Sequence, residues 1–300
     1  MNAPAPILGL LLDVDGPIAS PITRTINIPS IAADLAALAN AGIPIAFNTG
    51  RSDAFLREVV VPPLQAAGLA DGVRLYGICE KGAVWFRFTA DGIDELRVDE
   101  TVALPEGYPK AVERIVDERY SETVFFDYTK RAMVSVEQHL DVSPEQYAAV
   151  RGHFDTEART ELASHGVGVE HGHDRFPDAA GLVQYRIDPT IISTDIESSR
   201  LGKDLGAERA FELLEVDGGP LPISWRTMGD SRTDYAMADW LHEQGHPVAH
   251  VDVRPADGVP DKPYPVLTHP TLIHDEAGAL YLARWAAMVR GEATDDDEVL

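Results

Sequence analysis

Ile7-Leu8-Gly9-Leu10-Leu11-Leu12-Asp13-Val14-Asp15-Gly16 opens with an unbroken apolar run that stops at two carboxylates. An apolar run of strand length, uninterrupted by polar positions, reads as a β-strand buried on both faces, as in a parallel sheet. The pattern repeats downstream. Pro29-Ser30 starts a helix with Ile31, Leu35 and Leu38 on one face and Gly42 as its stop. Ile43 to Phe47 is a second apolar strand, ending in Asn48-Thr49-Gly50-Arg51. Ser52 caps another helix carrying Phe55, Leu56 and Val59, which Pro62-Pro63 interrupts, and a third strand lies near Val73 to Ile78. Strand and helix alternating through short links specify an α/β fold, a Rossmann-like three-layer core with a parallel sheet covered on both faces.

From Val84 to Glu197 the pattern changes. Ala83-Val84-Trp85-Phe86-Arg87-Phe88 and Ala132-Met133-Val134-Ser135-Val136 read as amphipathic or antiparallel strands, with Gln184 to Ile187 as a further one. Helices are expected over Pro109–Tyr120 and Pro144–His165. After Lys203 the first pattern returns: helix over Leu205–Leu214, strand over Ile223–Met228 ending in Gly229-Asp230, helix over Tyr235–His242, strand over Val248–Val253 and helix over Ala277–Val289. The expected organisation is a core in two portions, 1–83 and 199–291, with an α+β cap domain inserted as 84–198 and an acidic tail over 292–300.

The 300 residues carry 49 acidic against 25 basic side chains, a formal net charge of -24. Such a surface repels nucleic acid and anionic lipid, which excludes both as partners. It also repels phosphate esters, so a phosphate site would need local cations, and Lys203 is one of only five lysines. Cys79 is the single cysteine, which removes intrachain disulfides and thiolate clusters. The run Ile7–Leu12 is too short for a membrane span or signal peptide and has no basic flank, so a cytoplasmic location is expected.

Four clusters fall at or beside the C-terminal ends of expected core elements, where open α/β sheets place their ligand sites. In Asp13-Val14-Asp15-Gly16, extended residues two apart face the same way, so one carboxylate can attack while the other handles a proton. Thr49-Gly50-Arg51 offers a hydroxyl and backbone amides to an anion, although the same residues also make an ordinary helix cap. Lys203 can neutralise a phosphate; most lysines are simply solvated. Gly229-Asp230-Ser231-Arg232-Thr233-Asp234 adds two carboxylates that, with Asp13, would form a hard oxygen site for Mg²⁺.

Together these clusters resemble the four signature motifs of the haloacid dehalogenase (HAD) superfamily, over roughly residues 7–83 and 199–250. The resemblance implies a Mg²⁺-dependent phosphatase in which Asp13 is the nucleophile and Asp15 the general acid/base. Thr49, Gly50 and Lys203 would hold the phosphoryl group. Asp13, the backbone carbonyl of Asp15, and Asp230 would ligate the metal, with Asp234 supporting the site. Cys79-Glu80-Lys81-Gly82-Ala83 looks like the segment that closes the first core portion in members whose cap follows the second motif, many of them sugar-phosphate phosphatases. The first and fourth motifs lean toward the trehalose-phosphatase style. Three positions depart from the family pattern: Pro17 after the first motif, Lys81 in place of an asparagine, and Asp204 after Lys203.

The implied partner is a small phosphorylated metabolite, a sugar phosphate, with Lys130 and Arg186 as cap residues that would face it. Two alternatives stay open at this point: a sugar phosphomutase, and a phosphosugar-binding regulator without catalysis. His165, His171 and His173 are spaced like a metal cluster, but solvated loop histidines are the better reading. Trp225 and Trp240 read as core packing.

Overall fold

The computed structural model describes residues 5–292, so the expected acidic tail lies outside the described residues from position 293 onward. It divides into two compact units, one built from the chain up to Arg97 and from Gly202 onward, the other from Val98–Leu201. The elements up to the second unit are β1 (Leu8–Leu12), α1 (Pro29–Asn40), β2 (Ile45–Asn48), α2 (Asp53–Phe55), α3 (Val61–Ala66), β3 (Leu75–Cys79), β4 (Val84–Thr89), β5 (Gly92–Ile93) and β6 (Arg97–Val98). There follow α4 (Tyr108–Arg119), β7 (Val124–Phe126), β8 (Val134–Gln138), α5 (Pro144–Ser164), β9 (Val169–His171), β10 (Asp174–Phe176), β11 (Tyr185–Pro189) and β12 (Ser193–Ser198). The last set is α6 (Lys203–Val216), β13 (Ser224–Gly229), α7 (Tyr235–Glu243), β14 (Val248–Asp252), β15 (Val266–Leu267) and α8 (His274–Val289).

In the first unit β15, β14, β13, β1, β2 and β3 run parallel in that order, as the apolar runs require, and β4 and β5 extend the sheet antiparallel. β1, β3 and β14 are buried at every position, which only helices on both faces can achieve. Helices α6 and α7 press Phe211, Leu214, Met237 and Leu241 against Leu11, Ile78 and Trp225. Helices α1 and α8 pack together and bury Ile31, Leu35 and Leu38 with Tyr281, Leu282 and Trp285. Each such buried side chain contributes roughly 1.5–3 kcal/mol relative to exposure. This is the Rossmann-like three-layer core.

Several elements differ from expectation for identifiable reasons. Val84–Thr89 belongs to the first unit: its buried/half-buried alternation reflects an outer strand paired antiparallel to β3, and the second unit begins at Val98. The Pro62-Pro63 pair does not end its helix. A wide π-helical turn over Leu56–Val60 precedes it, and both prolines fall in the opening turn of α3, where a missing N–H is tolerated. Lys203 is the first residue of α6.

The second unit is a separate α+β layer pair. Its sheet order is β10-β9-β11-β12-β8-β7, antiparallel except for the β9–β11 pair. Tyr108, Val112 and Val116 of α4 and Tyr147, Phe154 and Leu162 of α5 cover Val134, Val136, Ile187 and Ile196. Ser143 caps α5 with a reciprocal Ser143/Gln146 box, which fixes where that helix starts. His171, expected in a loop, ends β9, and Gly172-His173 makes the turn into β10. Among the described residues no helix is long and apolar enough to cross a membrane.

Candidate active site

The site lies at the C-terminal ends of β1, β2 and β13, within the first unit. β1 runs out at Leu12, and the next residue, Asp13, is anchored by its N–H to the Met228 carbonyl of the neighbouring strand. The chain then turns sharply. N–H groups of Gly16, Ile18 and Ala19 close that turn, so the N–H that Pro17 lacks is not among those it uses. Gly16 has φ of 95° and lies so near Asp230 that a Cβ would sit 2.8 Å from its side chain. Only glycine allows both the left-handed backbone and this close approach.

Lys203 ties the clusters together. Its Nζ lies 2.7 Å from Asp13 Oδ1, 2.6 Å from Asp234 Oδ1 and 2.7 Å from the Asn48 carbonyl. Asn48 returns the contact, its Nδ2 donating to the Lys203 carbonyl at 2.8 Å. Asp234 Oδ2 accepts from the N–H groups of Asp230 and Ser231 and from Ser231 Oγ, while Oδ1 meets the Lys203 ammonium as an ion pair. One oxygen from each of Asp13, Asp230 and Asp234 lies within 4.8 Å of the others. Asp13, Asp234 and Lys203 are buried, and Asp230 is half-buried.

Burial sets the charges. It pushes the Asp13 carboxyl up to about 8; the Lys203 charge offsets this in part, and Asp234 adds to it. Asp230 is likewise raised by burial and by Asp234. For Asp234 the burial penalty is outweighed by Lys203 and the Ser231 bonds, which hold it low. Lys203 also faces a burial penalty, and the carboxylates of Asp13 and Asp234 overcome it and push the ammonium upward. Three carboxylates around one ammonium leave a formal excess of negative charge in a low-dielectric place. A hard divalent cation is the chemistry that such an all-oxygen set fits, and it would return Asp13 to its ionised form at neutral pH.

Thr49 is buried, and its Oγ1 accepts from the Arg51 N–H at 3.1 Å. Gly50 is open enough that a Cβ there would meet nothing nearer than the Lys81 side chain at 3.5 Å. Asp15 is partly exposed and held by Arg51, whose Nε and Nη2 donate to its two oxygens at 2.9 Å each. The expected catalytic, phosphate-binding and metal residues of the first unit are thus brought together.

In the second unit the expected residues stand differently. Lys130 is in the loop before β8 rather than on a strand. The Arg186 guanidinium is committed to Glu197 through Nε at 2.8 Å and to the Leu201 carbonyl at 2.7 Å, so it braces β11 against the end of β12. His171 Nε2 lies 3.5 Å from Asp155, while His165 ends α5 beside Glu161 at 3.9 Å.

Two features escaped sequence reasoning. Glu80 and Lys81 are consecutive non-glycine residues in the left-handed region, at φ of 48° and 56°. That strain is held by backbone bonds from Glu80 N–H to the Arg51 carbonyl, from Lys81 N–H to the Thr49 carbonyl and from Gly202 N–H to the Lys81 carbonyl. The segment therefore joins the Thr49 turn to the start of α6. The second feature is His274, also left-handed at φ of 50°, with Nδ1 3.8 Å from Asp230. The sequence marks the Glu80-Lys81 segment only by its resemblance to a core-closing segment; its strained backbone and the placement of His274 carry no local sequence signal.

No family model and no curated protein sequence matches the chain. Solved structures do. Trehalose-6-phosphate phosphatase from Aspergillus fumigatus is 16% identical, with 96% of this chain and 93% of that one covered at a TM-score of 0.51. The C-terminal domain of the C. albicans trehalose-6-phosphate phosphatase is 14% identical over 96% and 93% of the two chains, with a TM-score of 0.61. A haloacid dehalogenase-like hydrolase from Bacteroides thetaiotaomicron is 10% identical over 92% and 98%, with a TM-score of 0.56. What these likenesses define is a fold, shared with the two trehalose-6-phosphate phosphatases and the haloacid dehalogenase-like hydrolase.

Proposed function

We propose that this chain is a Mg²⁺-dependent phosphatase that hydrolyses a small phosphomonoester through an aspartyl-phosphate on Asp13. The observation that carries this reading is the convergence of Asp13, Asp230 and Asp234 within 4.8 Å around the buried Lys203 ammonium. Asp13 attacks phosphorus, and the ester P–O bond breaks as Asp15 gives its proton to the leaving alkoxide. Asp15, now a carboxylate, takes a proton from water; the water oxygen bonds to phosphorus, the bond to Asp13 breaks, and inorganic phosphate leaves. Lys203 and the Thr49-Gly50 turn hold the phosphoryl oxygens through both steps. Asp13, Asp230 and the Asp15 carbonyl would hold Mg²⁺, with Asp234 as support, and the bound ion supplies charge neutralisation at the phosphoryl group. A sugar phosphate is the proposed substrate, supported by the two structural neighbours that are trehalose-6-phosphate phosphatases. Lys130 remains a proposed contact to it from the inserted unit, and Arg186 a weaker one given its bonds to Glu197.

The test is phosphate release from p-nitrophenyl phosphate and a panel of sugar phosphates, with Mg²⁺ or with a chelator. Chelation should abolish turnover, and Asp13→Asn should lower it by roughly 10⁴-fold or more. Label from ¹⁸O-water should enter the released phosphate. Phosphoryl migration on the sugar without label would instead mark a mutase. Unchanged turnover in Asp13→Asn would overturn the reading.

A further inference from the structure

We infer that Arg51 is a positioning residue that holds the Asp15 carboxylate in register with the phosphate-binding turn, an inference that rests on the phosphatase reading above. Its guanidinium meets Asp15 side-on, with Nε and Nη2 each 2.9 Å from a different carboxylate oxygen. A fork of this kind fixes the plane of the carboxylate as well as its distance, which a point charge does not. It occupies one lone pair on each oxygen and leaves the others for proton transfer.

A partly exposed ion pair is worth little by itself, and Arg51 and Asp15 are 30% and 32% exposed. What distinguishes this pair is how firmly Arg51 is held. Its guanidinium lies 4.9 Å from the centre of the Phe55 ring. Its N–H donates to Thr49 Oγ1, and its carbonyl accepts from the strained Glu80. One residue thus links the Thr49 hydroxyl, which would bind the phosphoryl group, to the carboxylate that would protonate its leaving oxygen. Arg51 and Asp15 lie 36 residues apart in sequence, and nothing else described on Asp15's side chain sets its orientation toward that turn. Proton transfer tolerates little displacement, so this link governs the step that depends on the leaving group.

The test compares the single-turnover rate of the first step, leaving-group release, for p-nitrophenyl phosphate, whose leaving group needs no proton, with that for 2-glycerophosphate, whose alkoxide does. Arg51→Lys keeps the charge but loses the fork, and Arg51→Gln loses both. Each should lower the single-turnover rate of leaving-group release from 2-glycerophosphate by about 10²-fold, within the range of general acid catalysis, while release of p-nitrophenolate loses only a few-fold. In an Asp15→Asn background, Arg51→Gln should add no further loss, because the group it positions is already gone. Equal losses on both substrates, or full additivity with Asp15→Asn, would show a structural role only and overturn the inference. Thermal unfolding of each variant identifies misfolding, and Arg51→Lys is the milder change should Arg51→Gln misfold. If wild-type turnover instead proves independent of Asp13, the phosphatase reading itself fails, and this inference falls with it.

Discussion

The two units treat buried charge in opposite ways. In the first, Asp13, Asp230 and Asp234 crowd one ammonium, Lys203, and the excess negative charge stays within the site. In the second, each buried acid has its own partner. Glu197 receives the Arg186 fork, and Asp155 accepts from Thr194 at 2.7 Å with His171 at 3.5 Å. A balanced pair needs nothing from outside and serves the shape of the unit. A cluster left short of positive charge must hold a proton, as burial makes Asp13 do, or take a cation or substrate group from solution, and that is a property of a site rather than of a scaffold.

The largest expected effect breaks the crowded cluster. Lys203→Met leaves buried carboxylates without their ammonium and should cost the first unit about 3–5 kcal/mol. All four tryptophans (Trp85, Trp225, Trp240 and Trp285) lie in that unit, so tryptophan fluorescence during urea unfolding follows it selectively. Added Mg²⁺ should recover part of the loss by neutralising the same carboxylates. A Lys203→Met protein as stable as wild type without Mg²⁺ would mean that the cluster is not charge-starved.

A smaller effect contrasts pH responses. His250, fully buried with Nδ1 2.7 Å from Thr227 Oγ1, is pushed down to about 4 by burial. Its unfolded form takes up a proton near 6.5 and the folded form does not, so its stabilisation is present above that pH and is lost as pH falls toward 4. Between pH 7 and 5 the stability difference between wild type and His250→Asn should shrink by about 2 kcal/mol. The difference is the quantity to read, because Asp13 is raised by burial and responds oppositely. Asp155 in the second unit is also raised by burial, so its stabilisation is complete at low pH and fades as pH rises through its folded value. The opening free energy of the β12 amides, taken from exchange corrected for its intrinsic pH dependence, should therefore rise on acidification in wild type and change less in Asp155→Asn.

The smallest effect tests a pair that only decorates the second unit. Arg119 and Glu157 meet at 2.7 Å between α4 and α5 with the arginine more than half exposed. Arg119→Ala should change the protection of α4 amides by no more than about 0.5 kcal/mol. A loss of several kcal/mol there would erase the contrast between site and scaffold.

Legibility followed the same division. β1 was readable because a strand covered on both faces is apolar throughout, whereas β2, β13 and β14 mix apolar residues with buried Asn48, Arg226, Thr227 and His250; motif residues directly follow β1, β2 and β13. β9, β10 and β12 were not readable, because short half-wet strands carry little periodic signal. Val84–Thr89 joins the first unit, against expectation, for a related reason: alternation reports one covered face and does not say which sheet the strand joins. Arg186 showed the limit for side chains, since alternation marked its face but not that Glu197 would claim it.

The sequence by itself determined the α/β alternation, the order of the acidic, hydroxyl and lysine motifs, and the hard-oxygen chemistry that they allow, because these depend on residue type and local periodicity. Only the tertiary structure decided that the Lys203 segment docks on Asn48, 155 residues away, that its ammonium lies between Asp13 and Asp234, and that Arg51 grips Asp15. Those outcomes depend on packing between distant elements: on how close Gly16 lets its loop come to Asp230, and on the strained Glu80-Lys81 backbone that joins two loops. Contacts of that kind are set by the whole core, and no local stretch of chain encodes them.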